Sequence, residues 1–145
     1  VEQSADALRY LRENAALNRT PLHIVKGDVL DPALAESIRG VDVIVSNPPY
    51  LTEADLAALQ KEVQFEPRAA LDGGQDELLF YRELPALWQE SLNPGGRLLF
   101  EIGMGQEAAV SSFLTHAGYE NIESFPDLAG ISRVVSGMRP AGARR

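Results

Sequence analysis

Val41-Asp42-Val43-Ile44-Val45-Ser46, followed at once by Asn47-Pro48-Pro49-Tyr50, decides the fold of this chain. The first six residues are mostly β-branched, the pattern of a strand buried on both faces in a parallel sheet. The next four end that strand in a rigid polar corner carrying an aromatic ring. Two prolines hold φ near about −65° and supply no N–H, so the carbonyls beside them lack a neighbouring donor and stay open to a ligand. The Asn47 side-chain oxygen is a second acceptor. In open α/β sheets ligands bind beyond the carboxyl ends of the strands. The corner is therefore a candidate site for a planar –NH2 group that gives one proton to Asn47 and one to the Pro48 carbonyl while Tyr50 covers its face. A nitrogen held this way has its lone pair aimed in one direction, ready to attack an electrophilic methyl. Read alone, the four residues are equally an ordinary strand-ending turn.

Outward from the corner, helices alternate with strands. Apolar residues at helical spacing predict a helix over residues 4–18 with Ser4 as N-cap, then a short strand Leu22 to Lys26 running into Gly27-Asp28. Asp31-Pro32 opens a helical turn to about Ile38. After the corner, Thr52 caps a helix to about Lys61, and a loop holds Phe65-Glu66-Pro67-Arg68 and Leu71-Asp72-Gly73-Gly74. Residues 76–92 read as a long helix kinked at Pro85 and ended by Asn93-Pro94-Gly95-Gly96. A buried strand Arg97 to Ile102, a helix Gln106 to Ala117 and two last strands, Tyr119 to Phe125 and Ser132 to Met138, follow. The alternation predicts an α/β fold with a mostly parallel sheet and an antiparallel hairpin at one edge.

Composition narrows the function classes. The chain has 145 residues, a formal charge of −8 and no cysteine. The acidic balance lacks the Lys and Arg surplus that nucleic-acid binding draws on, and the absence of Cys excludes thiolate nucleophiles and thiolate metal sites. His23 and His116 have no partner at metal-ligand spacing and read as structural, so no metal is expected. No apolar run reaches the roughly 20 residues of a membrane helix, and with no signal-peptide pattern the expected location is cytoplasmic. Residues 1–138 read as one domain and 139–145, rich in Arg, Pro, Gly and Ala, as a flexible tail. Phe80, Tyr81 and Trp88 read as core residues on a helical face.

Ser46-Asn47-Pro48-Pro49-Tyr50 resembles motif IV of amino-methylating, S-adenosylmethionine-dependent class I methyltransferases. Further segments, Phe65-Glu66-Pro67-Arg68, Ala70-Leu71-Asp72-Gly73-Gly74, Glu101-Ile102-Gly103 with Gly105-Gln106, and Asp127-Leu128-Ala129-Gly130 with Arg133-Val134-Val135, resemble in order and spacing the protein-glutamine N5-methyltransferases of peptide chain release factors. The resemblance implies a Rossmann-like class I methyltransferase sheet, S-adenosylmethionine as cofactor, and release factors as the protein substrate, methylated on the glutamine of a Gly-Gly-Gln motif. It implies that Asn47, Pro48 and Tyr50 are catalytic, that Asn47, Pro48, Pro49 and Tyr50 bind substrate, and that Glu2, Asp28, Val29 and Asn47 face the cofactor. In that scheme Glu2 takes the ribose hydroxyls, and Asp28 with the Val29 backbone borders the adenine. Glu66, Arg68 and Glu101 read as braces between loops. Two positions depart from the family pattern, Asp76-Glu77-Leu78 in place of Asp-Gly-Leu and Ile131-Ser132 in place of a charged pair.

Measured against that family, the chain begins after the first strand and its Gly-rich turn. It is expected to be the carboxy-terminal part of a catalytic domain and, on its own, unstable, self-associating or inactive, because the first strand lies between the second and fourth and its loss leaves unpaired edges and exposed apolar surface. The same corner would also serve glutamine methylation of a ribosomal protein or adenine-N6 methylation of nucleic acid. A remnant without activity is the remaining alternative. The residues do not indicate an oligomeric state.

Overall fold

The computed structural model describes residues 1–57, 67–73 and 77–142, with only the backbone of Glu53, Asp55, Arg68 and Ala69. Helix α1 spans Ala5–Leu17 and is capped by Ser4, whose Oγ accepts the Ala7 N–H at 3.3 Å. Helix α2, Pro32–Ser37, has Pro32 in its first turn and is capped by the Asp31 carboxylate, which accepts the Ala33 N–H at 2.9 Å. Both caps satisfy donors that a helix start leaves orphaned. Strand β1 is Val41–Ser46, α3 is Glu53–Ala57, α4 is Arg68–Leu71 and α5 is Leu79–Trp88, which tightens into a 3-10 turn at Gln89–Ser91. Strand β2, Leu92–Glu101, is followed by α6, Glu107–His116, and by β3, Glu120–Pro126, and β4, Ser132–Met138.

The sheet runs in the order β1-β2-β4-β3, with β1 parallel to β2 and the other two pairings antiparallel. The α/β class and the antiparallel edge hairpin are as the sequence led us to expect. One face is packed. Phe100, Ile102, Val110, Leu114 and Val135 lose all exposure there, together with Tyr81 from α5. The Tyr81 and Phe100 rings meet edge to face at 5.3 Å and 86°, a geometry in which one ring's positive edge faces the other's negative face.

The other face differs from expectation. Val43 pairs with Arg97 and Val45 with Leu99, and these valines are 54% and 74% exposed. β1 is thus not buried on both faces. Leu22 to Lys26 also forms no strand of its own; a single parallel bridge joins Glu2 to Lys26. The Asn93-Pro94-Gly95-Gly96 segment, expected to end the long helix, lies inside β2 instead, since the helix stops at Trp88. Between the pairs Val41 with Leu92 and Val43 with Arg97 the register slips, so these residues form an irregularity that lets β2 begin early. A one-turn helix, α4, stands where a loop was expected. Arg139, assigned to the tail, is held: its guanidinium grips both oxygens of Glu90 at 2.8 Å, and its backbone pairs with Gly95 and Gly96.

Phe65, Glu66, Gly74, Asp76 and the second half of the helix expected to end near Lys61 lie outside the described residues. Among those described, no helix is long and apolar enough to cross a membrane.

Candidate active site

Strand β1 ends at Ser46, paired with Phe100, and delivers the chain into the Asn-Pro-Pro-Tyr corner at the carboxyl end of the parallel pair. Pro48 is buried, Pro49 and Tyr50 half-buried, and Asn47 exposed. The corner is clamped from one side: the Leu51 N–H donates to the Leu71 carbonyl and the Gly73 N–H to the Leu51 carbonyl, each at 3.0 Å. Neither the Asn47 side chain nor the Pro48 carbonyl bonds to any other described residue. Both acceptors are therefore unpartnered among the described residues, and neither Pro48 nor Pro49 brings an N–H donor to the corner.

Among the described residues, two clefts adjoin the corner. One, of about 340 Å³, is lined by Glu2, Gly27, Val29, Asn47, Pro49 and Phe80, among others. The other, of about 490 Å³ and largely apolar, shares Val29, Asn47 and Phe80 and adds Pro48 and Trp88. Backbone bonds bring the distant Glu2 here: its N–H donates to the Val25 carbonyl at 3.0 Å, and its carbonyl accepts the Gly27 N–H at 3.1 Å. One Glu2 oxygen takes the Ser4 N–H at 2.7 Å, which leaves Oε2 for a ligand. Asp28 is exposed and does not line either cleft; its Oδ1 accepts the Leu30 N–H at 2.9 Å. Of the cofactor candidates, Glu2, Val29 and Asn47 therefore converge, and Asp28 stands beside them.

Tyr50 lines neither cleft; its ring lies beside Gly103, with Cδ2 3.0 Å from where a Cβ on that glycine would stand. Under it, the Tyr81 hydroxyl donates to the Glu101 carbonyl at 2.9 Å. Burial, then the nearby Tyr50 and Glu101, pushes the Tyr81 phenol well above its ordinary range, so it stays a donor. The side chain of Arg68 and all of Glu66 lie outside what is described, and Glu101 is exposed.

Three contributors escaped the sequence reading. Phe80 lines both clefts instead of lying fully in the core, and Trp88, although buried, donates from Nε1 to the Val29 carbonyl at 2.9 Å. Gln106 accepts the Gly103 N–H at 2.8 Å. Gln106 stood in a segment that resembles the family, but with no role attached; only helical spacing hinted at Phe80 and Trp88, and spacing does not distinguish a cleft wall from a core.

At the same end of the sheet the Asp127 to Arg133 segment is a self-braced turn. Asp127 accepts the N–H groups of Ala129 at 2.8 Å and Ile131 at 3.0 Å and pairs with Arg133 at 3.2 Å. The Ile131 N–H above all, with Ala129 and Arg133, holds its carboxyl below the ordinary range. The Ser124 hydroxyl, then Ser132, does the same for Glu107.

The sequence pattern of the Methyltransferase small domain family matches residues 1–87. The chain is 43% identical to the release factor glutamine methyltransferase of Geobacter sulfurreducens over 94% of its own length and 48% of that protein's. Against the protein of that name from Caulobacter vibrioides it is 39% identical over 96% of itself and 48% of the relative. The likeness read from the motifs is thus found along nearly the whole chain, which spans about half the length of these curated relatives. Among solved structures, a methyltransferase from Pyrococcus furiosus superimposes with a TM-score of 0.68 at 18% identity, covering 96% of this chain and 60% of that one. The S-adenosylmethionine-dependent methyltransferase SibL gives 0.60 at 16% identity, covering 97% and 42%. Both share the fold. With β1, its polar corner and the cleft that holds Glu2 inside the matched span, the chain belongs to the Methyltransferase small domain family.

Proposed function

We propose that the protein transfers a methyl group from S-adenosylmethionine to the side-chain amide nitrogen of the glutamine in the Gly-Gly-Gln motif of peptide chain release factors. The observation that carries this reading is the pair of unpartnered acceptors at the corner, Asn47 Oδ1 and the Pro48 carbonyl, with Asn47 lining the cleft that also holds Glu2 and Pro48 lining the adjoining one. Its relatives named release factor glutamine methyltransferase supply the substrate class.

The cleft suits the cofactor. Its volume of about 340 Å³ falls within the roughly 300–1,000 Å³ usual for ligand sites. Glu2 Oε2 is available for ribose hydroxyls, and Val29 and Phe80 offer apolar walls to a purine. Bound there, the cofactor supplies an electrophilic sulfonium methyl.

The chain's own residues do the alignment. An amide nitrogen is a poor nucleophile because its lone pair is delocalised into the carbonyl. Asn47 and the Pro48 carbonyl each accept one N–H of the substrate amide, Tyr50 covers the amide plane, and the lone pair points at the methyl carbon. With the cofactor bound, its sulfur–carbon bond would give way to the new N–C bond, leaving the thioether, and the nitrogen would lose a proton to solvent. Fixing such a geometry lowers the barrier without a strong base.

The test is methylation of a release factor by the protein at its natural length, read from the mass of the peptide bearing the Gly-Gly-Gln glutamine. Asn47→Ala should lower kcat by about 10²–10³-fold, as loss of one preorganised hydrogen-bonding group does elsewhere, while cofactor affinity stays within a few-fold. Near-normal turnover in that variant would remove Asn47 from the mechanism, and an unmodified glutamine with the wild-type protein would sink the reading.

A further inference from the structure

We infer that Gly103 and Gly73 are positioning residues that set the place of the Tyr50 ring, with Gln106 holding Gly103 in register. This deepens the proposed function and rests on Tyr50 covering the acceptor amide. The starting point is that neither glycine is required by its backbone. Gly40, Gly95, Gly105, Gly118, Gly130 and Gly142 have positive φ, where other residues are strained, but Gly73 and Gly103 do not. Their reason is space.

A methyl group added at Gly103 would lie 3.0 Å from Tyr50 Cδ2 and 3.0 Å from Gln106 Oε1. One added at Gly73 would lie 3.3 Å from both the Pro49 carbonyl oxygen and Tyr50 Cα, and 2.9 Å from Glu77 Cα. The two glycines therefore approach the corner closely, Gly73 at its backbone and Gly103 at its ring. Tyr50 makes no hydrogen bond with the described residues, so packing alone places the ring and the shape of this wall decides where it sits.

The wall is stiff. Just before Gly103, the Ile102 N–H donates to the Arg133 carbonyl at 2.9 Å and the Glu101 carbonyl accepts the Tyr81 hydroxyl. Just after it, Gln106 closes a small ring: Oε1 accepts the Gly103 N–H at 2.8 Å, and the Gln106 N–H returns to the Gly103 carbonyl at 3.3 Å. An added methyl at 103 has to displace the ring or the Gln106 carboxamide, because the strand behind it is anchored on both sides.

A double-mutant cycle in the protein at its natural length tests this. Gly103→Ala should lower kcat about 10²-fold, the size expected of an ångström-scale misplacement, with KM and cofactor affinity changed little. Tyr50→Ala should also lower kcat, and adding Gly103→Ala to Tyr50→Ala should cost almost nothing more, since coupled residues are not additive. Gln106→Leu should lower kcat and Gln106→Glu, which keeps an acceptor, should restore most of it. Gly105→Ala, in the same loop with nothing within 4 Å of the added carbon, serves as the control for loop strain. Full additivity of Gly103→Ala and Tyr50→Ala, or an equal kcat loss in Gly105→Ala, would overturn the inference. A wild-type protein inactive on glutamine sinks the functional reading separately; the contact is then read from the NMR resonances of the Tyr50 ring, which should shift in Gly103→Ala and not in Gly105→Ala.

Discussion

Strands β1 and β2 lie side by side in one sheet and are built to different ends. β2 pairs on both edges, and its Leu98 and Phe100 are buried against α5 and α6. β1 stands at the sheet's edge, shows Val43 and Val45 to solvent, and ends in the corner whose acceptors are unsatisfied. The block around β2 satisfies itself: Tyr119 donates to the Pro85 carbonyl at 3.1 Å, Ser91 to the Ala35 carbonyl at 2.9 Å, and no buried side-chain polar atom among the described residues lacks a partner. The self-satisfied packing lies in β2 and its covering helices, whereas the unpartnered acceptors lie at the end of β1. Groups that a ligand is to use cannot also be spent on the protein's own core.

The sharpest way to break this contrast is to cut into both strands of the 145-residue chain. Phe100→Ala, at a fully buried position, should cost about 3–5 kcal/mol in urea unfolding. Val45→Ala, at a position 74% exposed, should stay within about 0.5 kcal/mol; comparable losses would erase the distinction. A smaller effect is expected where the two regions are stitched together. Trp88→Phe keeps an aromatic ring in the core but leaves the Val29 carbonyl at the cleft without its donor, and should cost about 1 kcal/mol by the same measurement.

Smaller again is the tie between Arg139 and Glu90, because Glu90 is 68% exposed and its charge is screened. Glu90→Ala should lower stability by about 0.2–1 kcal/mol at low salt, with the difference shrinking at about 1 M salt. The least effect is one of pH. The Asp127 and Glu107 carboxyls sit below their ordinary values in the folded protein. Their contribution is therefore fully present above the unfolded values of about 3.9 and 4.3 and is lost as pH falls through the lower folded ones. Melting temperatures should be flat in this respect from about pH 7 to 5 and decline below about 4. Asp127→Asn should converge on the wild type at the acid end; a gap that persists there would mean that Asp127 acts by shape and not by charge.

What was legible in the sequence was whatever depends on neighbours along the chain. The cap Ser4, the helical turn opened at Asp31-Pro32, the strand Val41–Ser46, the terminal hairpin and the corner itself all follow from local patterns. The early start of β2 was not legible, since Asn93-Pro94-Gly95-Gly96 is a turn signal by composition and becomes part of a strand only through its pairing partners β1 and β4. The half-open state of β1 did not follow from its run of β-branched residues, which cannot distinguish it from full burial, although the family resemblance implied an unpaired edge and exposed apolar surface.

The Asn-Pro-Pro-Tyr corner and its lack of proline N–H donors were determined by the sequence alone, because a proline's missing N–H is a covalent fact. The tertiary structure decided which distant groups meet there. It brought Glu2 beside Gly27 by two backbone hydrogen bonds, set Phe80 in the wall of both clefts, and pressed Gly73 and Gly103 against the corner. Close approach between segments far apart in the chain is a property of packing, and no pattern of neighbouring residues encodes it.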